Sequence, residues 1–141
     1  MTVNQILSTK GKEVYSILST NTVYEALTVM SEKNIGAILI IEDTVLKGVL
    51  SERDYARKIV LKAKSSKKAF VHEIMENKVV TVKPSDNLEF CMGLMNGNRV
   101  RHLPVVENDK VIGIISVGDV VKALMEIQKD TIHHLNSYIT Q

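Results

Sequence analysis

Residues 48–54 read Gly-Val-Leu-Ser-Glu-Arg-Asp, and residues 113–119 read Gly-Ile-Ile-Ser-Val-Gly-Asp. Laid over one another, they set an offset of 65 residues (113 − 48). At that offset Met30 falls on Met95, Glu42 on Glu107, Ser51 on Ser116 and Asp54 on Asp119, with no gap from about Ser19 to Lys58. Apolar positions agree as well: Val23 with Leu88, Leu27 with Met92, Ile40 with Val105, Ile41 with Val106, Val49 with Ile114 and Leu50 with Ile115. Self-similarity at a fixed spacing marks a structural unit used more than once. The chain is a tandem duplication with an arm at each end.

Each copy carries the same succession of signals. Val23, Ala26, Leu27 and Met30 recur at the spacing of one helix face, as do Leu88, Cys91, Met92 and Met95. Polar stretches suited to an N-cap precede them, Ser19-Thr20-Asn21-Thr22 and Pro84-Ser85-Asp86-Asn87. A strand follows, Ala37 to Ile41 or Leu103 to Val106. Then come a polar hairpin turn, Glu42-Asp43-Thr44 or Glu107-Asn108-Asp109, and a second strand, Leu46 to Leu50 or Val111 to Ile115. A closing helix begins near Ser51 or Ser116. Near-continuous apolar strands indicate sheets covered by helices. A unit of about 60 residues buries too little apolar surface to stand comfortably alone, so the two copies are expected to pack sheet to sheet about a pseudo-two-fold axis. The expected fold is α/β (α+β), with repeats at residues 8–66 and 74–130 and a helical arm at 131–141. The basic stretch from Lys62 to Lys68 reads as a solvated linker.

Composition narrows the function. In 141 residues there are 18 basic and 16 acidic side chains, a net charge of +2, 45% hydrophobic residues and 4% aromatics. No long-range field favours nucleic acid or an anionic membrane. No run of 18 apolar residues offers a membrane span, and the N-terminal stretch lacks a secretory signal. A single cysteine, Cys91, allows no internal disulfide. These features point to the cytoplasm. Cys91 itself occupies an apolar-face position and reads as a core residue.

The sharpest local feature is Ser-x-x-Asp at both strand-to-helix corners, Ser51 with Asp54 and Ser116 with Asp119. Its plain reading is a capping box. The same geometry also suits a ligand. Free N–H groups at a helix start attract phosphate, and a carboxylate one turn in accepts the hydroxyls of a ribose, as an acidic residue does in dinucleotide folds. Duplication would copy a cap as faithfully as a binding site, so recurrence alone does not choose between them.

These residues bring a family into view. Each half resembles a CBS domain, the unit named after cystathionine β-synthase, over roughly residues 8 to 130. The likeness rests on Asn34-Ile35-Gly36-Ala37, Gly48 to Lys58, Arg99-Val100-Arg101-His102-Leu103-Pro104-Val105 and Gly113 to Val120. The resemblance implies a free-standing regulatory pair that binds an adenosine derivative (AMP, ADP, ATP, NAD(H) or S-adenosylmethionine) in two inter-repeat clefts. It implies that Asp54 and Asp119 hold ribose, with Ser51 and Ser116 near ribose or phosphate. It completes the Asp119 cleft with Ser16, Gly36 and Ala37, and the Asp54 cleft with Thr81, Arg101 and His102; Pro104 and Gly118 join the same ligand set. Homodimerisation and an unidentified regulated protein are further implications.

The halves differ where charge matters. Arg101 and His102 replace Gly36 and Ala37, and Arg53 replaces Gly118. The Asp54 cleft is therefore expected to gather Arg53, Arg101 and His102 as a cationic set for phosphate. His72 reads as a surface residue. The adjacent His133 and His134 point about 100° apart on a helix and make a poor metal pair. Neither a nucleophile–base set nor a phosphate loop is legible, so an enzyme with a catalytic cofactor is not expected. A structural module with vestigial clefts is the remaining alternative. The stripe Leu124, Ile127, Thr131, Leu135 and Tyr138 can pack on its own module or on a second chain, and is read as a homodimer contact.

Overall fold

The computed structural model describes residues 1–139. Its elements are α1 (Val3–Lys10), β1 (Ser16–Ile17), α2 (Val23–Lys33), β2 (Ala37–Glu42), β3 (Val45–Ser51), α3 (Glu52–Tyr55), α4 (Val71–Ile74), α5 (Leu88–Asn98), β4 (His102–Glu107), β5 (Lys110–Ser116) and α6 (Val117–Ile139). The offset of 65 holds at atomic detail. Ala37 pairs with Ser51 and His102 with Ser116, and both hairpins shift register at the same place, after Ile40 and after Val105. Both hairpin tips put two residues at positive φ, Asp43-Thr44 and Asn108-Asp109, the geometry of a two-residue primed turn. Thr22 and Asn87 cap α2 and α5 with their side chains, and both helices end on a left-handed residue, Asn34 (φ 54°) and Arg99 (φ 54°).

The tandem pair of βαββα units is present, and the two half-sheets come together along β3 and β5. The leading strand is weak in both. β1 is two residues long and parallel to β2; in the second half only a bridge from Val82 to Val105 marks the equivalent.

The helices ahead of each repeat cross over. Val3, Ile6 and Leu7 of α1 are buried in the second half's core, among Val82, Leu88, Cys91, Leu103 and Ile115. Val71 and Ile74 of α4 are buried in the first half's core, with Val23, Ile38, Ile40 and Leu50. The docking bonds repeat: Val3 N–H donates to the Asp86 carbonyl (2.8 Å) as Val71 N–H does to that of Asn21 (2.8 Å), and Asn4 to Pro84 (2.9 Å) as His72 to Ser19 (3.1 Å). The boundaries expected at residues 8 and 74 thus fall inside α1 and on the last residue of α4. They leave out the helix that closes the opposite core.

The closing helices differ. In the first half α3 gives way to a π-helical turn at Ala56–Val60 that buries Ile59, and the chain then passes through exposed Lys62, Ala63 and Lys64. In the second half α6 runs unbroken for 23 residues, so residues 131–139 continue that helix and form no separate arm. Of the expected stripe, Leu124 and Ile127 pack on the chain's own core, whereas Thr131, Leu135 and Tyr138 are exposed. Met92, aligned with Leu27, is exposed too.

Glycine geometry yields a paired test. A methyl at Gly48 would lie 2.9 Å from the Glu76 carbonyl oxygen and 3.0 Å from Met75 Sδ, against backbone that is itself bonded to Val49. At Gly93, mid-helix in α5, a methyl meets nothing within 4 Å. By chemical denaturation Gly48→Ala is expected to destabilise by about 1–3 kcal/mol, and Gly93→Ala to stabilise by about 0.5–1 kcal/mol.

Candidate functional site

Both Ser-x-x-Asp corners are complete capping boxes. Asp54 Oδ2 accepts the Ser51 N–H (3.0 Å) and hydroxyl (3.0 Å), while the Asp54 N–H donates to Ser51 Oγ (3.2 Å). Asp119 and Ser116 reproduce this at 2.8, 3.0 and 3.2 Å. The first helical N–H is also engaged, Glu52 to the Gly36 carbonyl (3.1 Å) and Val117 to that of Arg101 (2.9 Å). The corners therefore do not present a row of free amides to phosphate. Only the second helical N–H, of Arg53 or Gly118, is left for a ligand, and an anion here must be held chiefly by side chains.

Each corner opens on its own groove between the halves. The first, of about 680 Å3, is lined by Ser51, Arg53, Asp54, Arg57, Glu76, Lys78, Val79, Val80, Arg99 and Val100, with Gly36, Ala37, Glu52, Arg101 and His102. The second, of about 410 Å3, is lined by Lys10, Glu13, Val14, Tyr15, Lys33, Asn34, Ser116 and Asp119, again with Gly36, Ala37 and His102. Both volumes lie in the range of small-molecule sites. His102 leans over Gly36, where a methyl would come within 3.7 Å of its Cε1. This imidazole and the Gly36-Ala37 backbone form a septum shared by both grooves.

The structure brings Ser51, Arg53, Asp54, Arg101 and His102 together in the first groove, and Ser116, Asp119, Gly36 and Ala37 in the second. It does not bring in the rest. Ser16 is exposed on β1 and paired with Leu39; its neighbour Tyr15 lines the groove instead. Thr81 is exposed, and Val79 and Val80 take its place. Pro104 is buried in β4 with its carbonyl accepting the Val82 N–H (3.0 Å). Gly118 is exposed outside the lining.

Charge divides the grooves. The first holds Arg53, Arg57, Lys78, Arg99 and Arg101 against Glu52, Asp54 and Glu76. In the second, Lys10 and Lys33 balance Glu13 and Asp119. His102 does not count among the cations: burial, helped by Lys10, lowers its pKa below the usual imidazole value. Partial burial pushes Asp119 up, but hydrogen bonds from Lys10 and Ser116 outweigh it and hold the carboxyl below the ordinary aspartate range. Sequence reasoning missed Lys10, Lys33, Arg57, Lys78 and Arg99 as groove residues. Nothing in the repeat pointed to Lys10, which arrives on the helix that crosses over. Cys91 is fully buried, and burial, with a smaller push from Asp86, raises its thiol to about 11. His72 is exposed and stacked on Phe70. Among the described residues no cluster of His, Cys, Asp and Glu is placed to hold a metal ion, and no helix is long and apolar enough to cross a membrane.

Comparison with known proteins gives a consistent picture. The family model for the CBS domain matches residues 3–61 and 71–126. The mitochondrial CBS domain-containing protein CBSX3 of Arabidopsis thaliana is 37% identical over 147 residues, covering 98% of this chain and 71% of that protein. A putative signal-transduction protein with CBS domains from Burkholderia ambifaria MC40-6 superposes with a TM-score of 0.86 at 45% identity, over 89% of this chain and 95% of that one. The CBS domain pair of protein MJ0100, solved in complex with 5′-methylthioadenosine and S-adenosyl-L-methionine, shares the fold at a TM-score of 0.79 and 22% identity, over 89% of this chain and 97% of that one.

The septum histidine sets a pH dependence. With its pKa depressed on folding, the unfolded chain binds the proton first, so stability falls as pH drops through the unfolded value of about 6.5. Thermal melts between about pH 7.5 and 5.5 are expected to show a steeper loss for the wild type than for His102→Gln. Equal slopes would mean that the imidazole is not held neutral.

Proposed function

Because the chain belongs to the CBS domain family, we propose that it is an adenosine-derivative-binding regulatory module, a sensor for AMP, ADP, ATP, NAD(H) or S-adenosylmethionine, and not an enzyme. The observation that carries this reading is the pair of grooves between the halves, each with a half-buried carboxylate at a Ser-x-x-Asp corner. A carboxylate acceptor suits a vicinal diol, and a groove between two repeats lets a ligand touch both at once. Occupancy then alters the relation of the halves, and an unidentified partner reads the change. For such a ligand to act as a switch it must bind the two arrangements with different affinity.

The grooves have different preferences. The Asp54 groove, with its excess of arginine and lysine, takes phosphorylated ligands. Guanidinium side chains do this work there, since the corner amides are mostly engaged. The balanced Asp119 groove takes a ligand of lower charge. The solved pair of protein MJ0100 supports an adenosine ligand by fold alone.

A second copy of the chain is the expected partner of α6. Val121, Met125, Ile132, Leu135 and Ile139 are exposed. With Gln128 between them they are spaced alternately four and three apart, the seam of a two-helix coil. The seam lies beside the face that α6 presents to its own core.

A thermal-shift panel tests the binding reading. A ligand at about 100 times its dissociation constant should stabilise the fold by roughly 2.7 kcal/mol, several degrees for a domain of this size. Asp54→Ala and Asp119→Ala should each remove one site. No shift with any of the five ligands would leave a structural module with vestigial clefts. Arg101→Ala should weaken AMP more than adenosine; equal losses would deny that groove its phosphate role. In sedimentation, the full chain is expected as a dimer and a chain ending at Lys129, which loses the distal half of the seam, as a monomer.

A further inference from the structure

Lys10 is the last residue of α1, and its ammonium group lies inside the second groove. Nζ donates to Asp119 Oδ2 at 2.6 Å and to the Ile114 carbonyl at 2.6 Å. Oδ2 also accepts the Ser116 N–H and hydroxyl, so three donors converge on one carboxylate oxygen. The other corner lacks this arrangement. There the neighbouring cation is Lys58, one helical turn on, at 3.4 Å from the opposite oxygen of Asp54. The two corners are otherwise alike bond for bond, so Lys10 is the feature that makes the Asp119 corner different.

We propose that Lys10 is the built-in occupant of the Asp119 groove, displaced when a ribose diol binds that carboxylate, so that occupancy of this one groove is transmitted to the end of α1. This rests on the reading of the grooves as adenosine sites. A vicinal diol that grips a carboxylate with both hydroxyls brings one donor to each oxygen, so one of them must be accepted at Oδ2. An oxygen already holding an ammonium group, a hydroxyl and an amide has no lone-pair direction to spare. The Ser116 donors are fixed by the cap; the ammonium is on a flexible four-carbon stem and is the group that can leave.

Release is confined to one turn. Leu7 is buried against Gly113, where a methyl would come within 2.8 Å of its Cδ2, so the body of α1 stays in the core. Ser8, Thr9, Lys10 and Gly11 are exposed, and Gly11, at φ 106°, ends the helix with its N–H donated to the Leu7 carbonyl at 2.7 Å. Lys10 is thus the tie that holds this last turn to the groove, and the turn is the part of the fold that loosens when the tie is broken. The ion pair is partly exposed, so the competition it sets is modest and weakens with salt.

Adenosine, a neutral diol, is the probe, titrated calorimetrically into an Asp54→Ala chain so that only the Asp119 groove reports. Adding Lys10→Met is expected to tighten adenosine about fivefold, with the gain shrinking at high salt, while 2′-deoxyadenosine, lacking one hydroxyl, gains less. In the chain with Lys10 intact, adenosine should speed amide exchange at Gly11 and leave Leu7 protected. Adenosine binding that Asp119→Ala abolishes but Lys10→Met leaves unchanged or weakens, with Gly11 exchange unaltered, overturns the displacement and leaves the sensor reading standing. Absence of adenosine binding in every variant overturns the displacement and denies the Asp119 groove an adenosine ligand, while the Asp54 groove still answers to the thermal-shift panel.

Discussion

Neither half of this protein closes its own core. The helix that precedes the first repeat is buried in the second, and the helix that precedes the second is buried in the first, through the same backbone bonds at their N-termini. Each half then contributes apolar surface that is covered only when the other is present, so the two are one cooperative unit, not two beads on a string. The grooves follow from this. They exist because two units are locked face to face at β3 and β5, and their walls are drawn from both. Any ligand lying in either groove touches residues whose positions depend on the exchange.

Much of this was legible in advance, because duplication writes the same physics twice. Helix faces, hairpin turns and both Ser-x-x-Asp corners repeat at an offset of 65 residues, and the structure keeps that offset down to the register shift in each hairpin. What escaped is what the repeat does not encode locally. Amphipathic spacing shows that α1 has an apolar face, but not which half it covers, so the boundaries were drawn through it. The corner amides were expected to be free, because a motif does not reveal that Gly36 and Arg101 carbonyls lie opposite them. Residue type alone makes His102 a candidate cation; burial, helped by Lys10, lowers its pKa and disfavours the charged form. Resemblance places Ser16, Thr81 and Pro104 at the ligand, but Ser16 and Thr81 are exposed beside Tyr15 and Val80, which do face a groove, and Pro104 is buried in β4, two residues from His102.

The asymmetry of the grooves is a matter of a few side chains on a symmetric frame. Backbone, caps and corners are nearly interchangeable between the halves. Five basic residues face one groove and two face the other, and several of the five come from segments that follow the exchange: Lys78 after α4, Arg99 and Arg101 after α5. Between the two runs a single septum of Gly36, Ala37 and an uncharged imidazole. A gene duplication that kept the scaffold and varied its polar decoration accounts for one fold holding two grooves of different character.

The end of α5 shows how that decoration is weighed against the frame. α2 finishes on Asn34 in the left-handed conformation, a residue type that adopts it readily; α5 finishes at the equivalent place on Arg99 at the same φ. An arginine in that region, with its Cβ crowding the backbone, forgoes about 1 kcal/mol that glycine would keep. Its carbonyl accepts from Arg53 Nη1 at 3.3 Å, and its side chain lines the cationic groove. Here the chain accepts local strain at a residue that lines the groove and whose carbonyl ties Arg53 to it. By that measure the rim of the Asp54 groove is where a chain optimised for stability alone would be altered first.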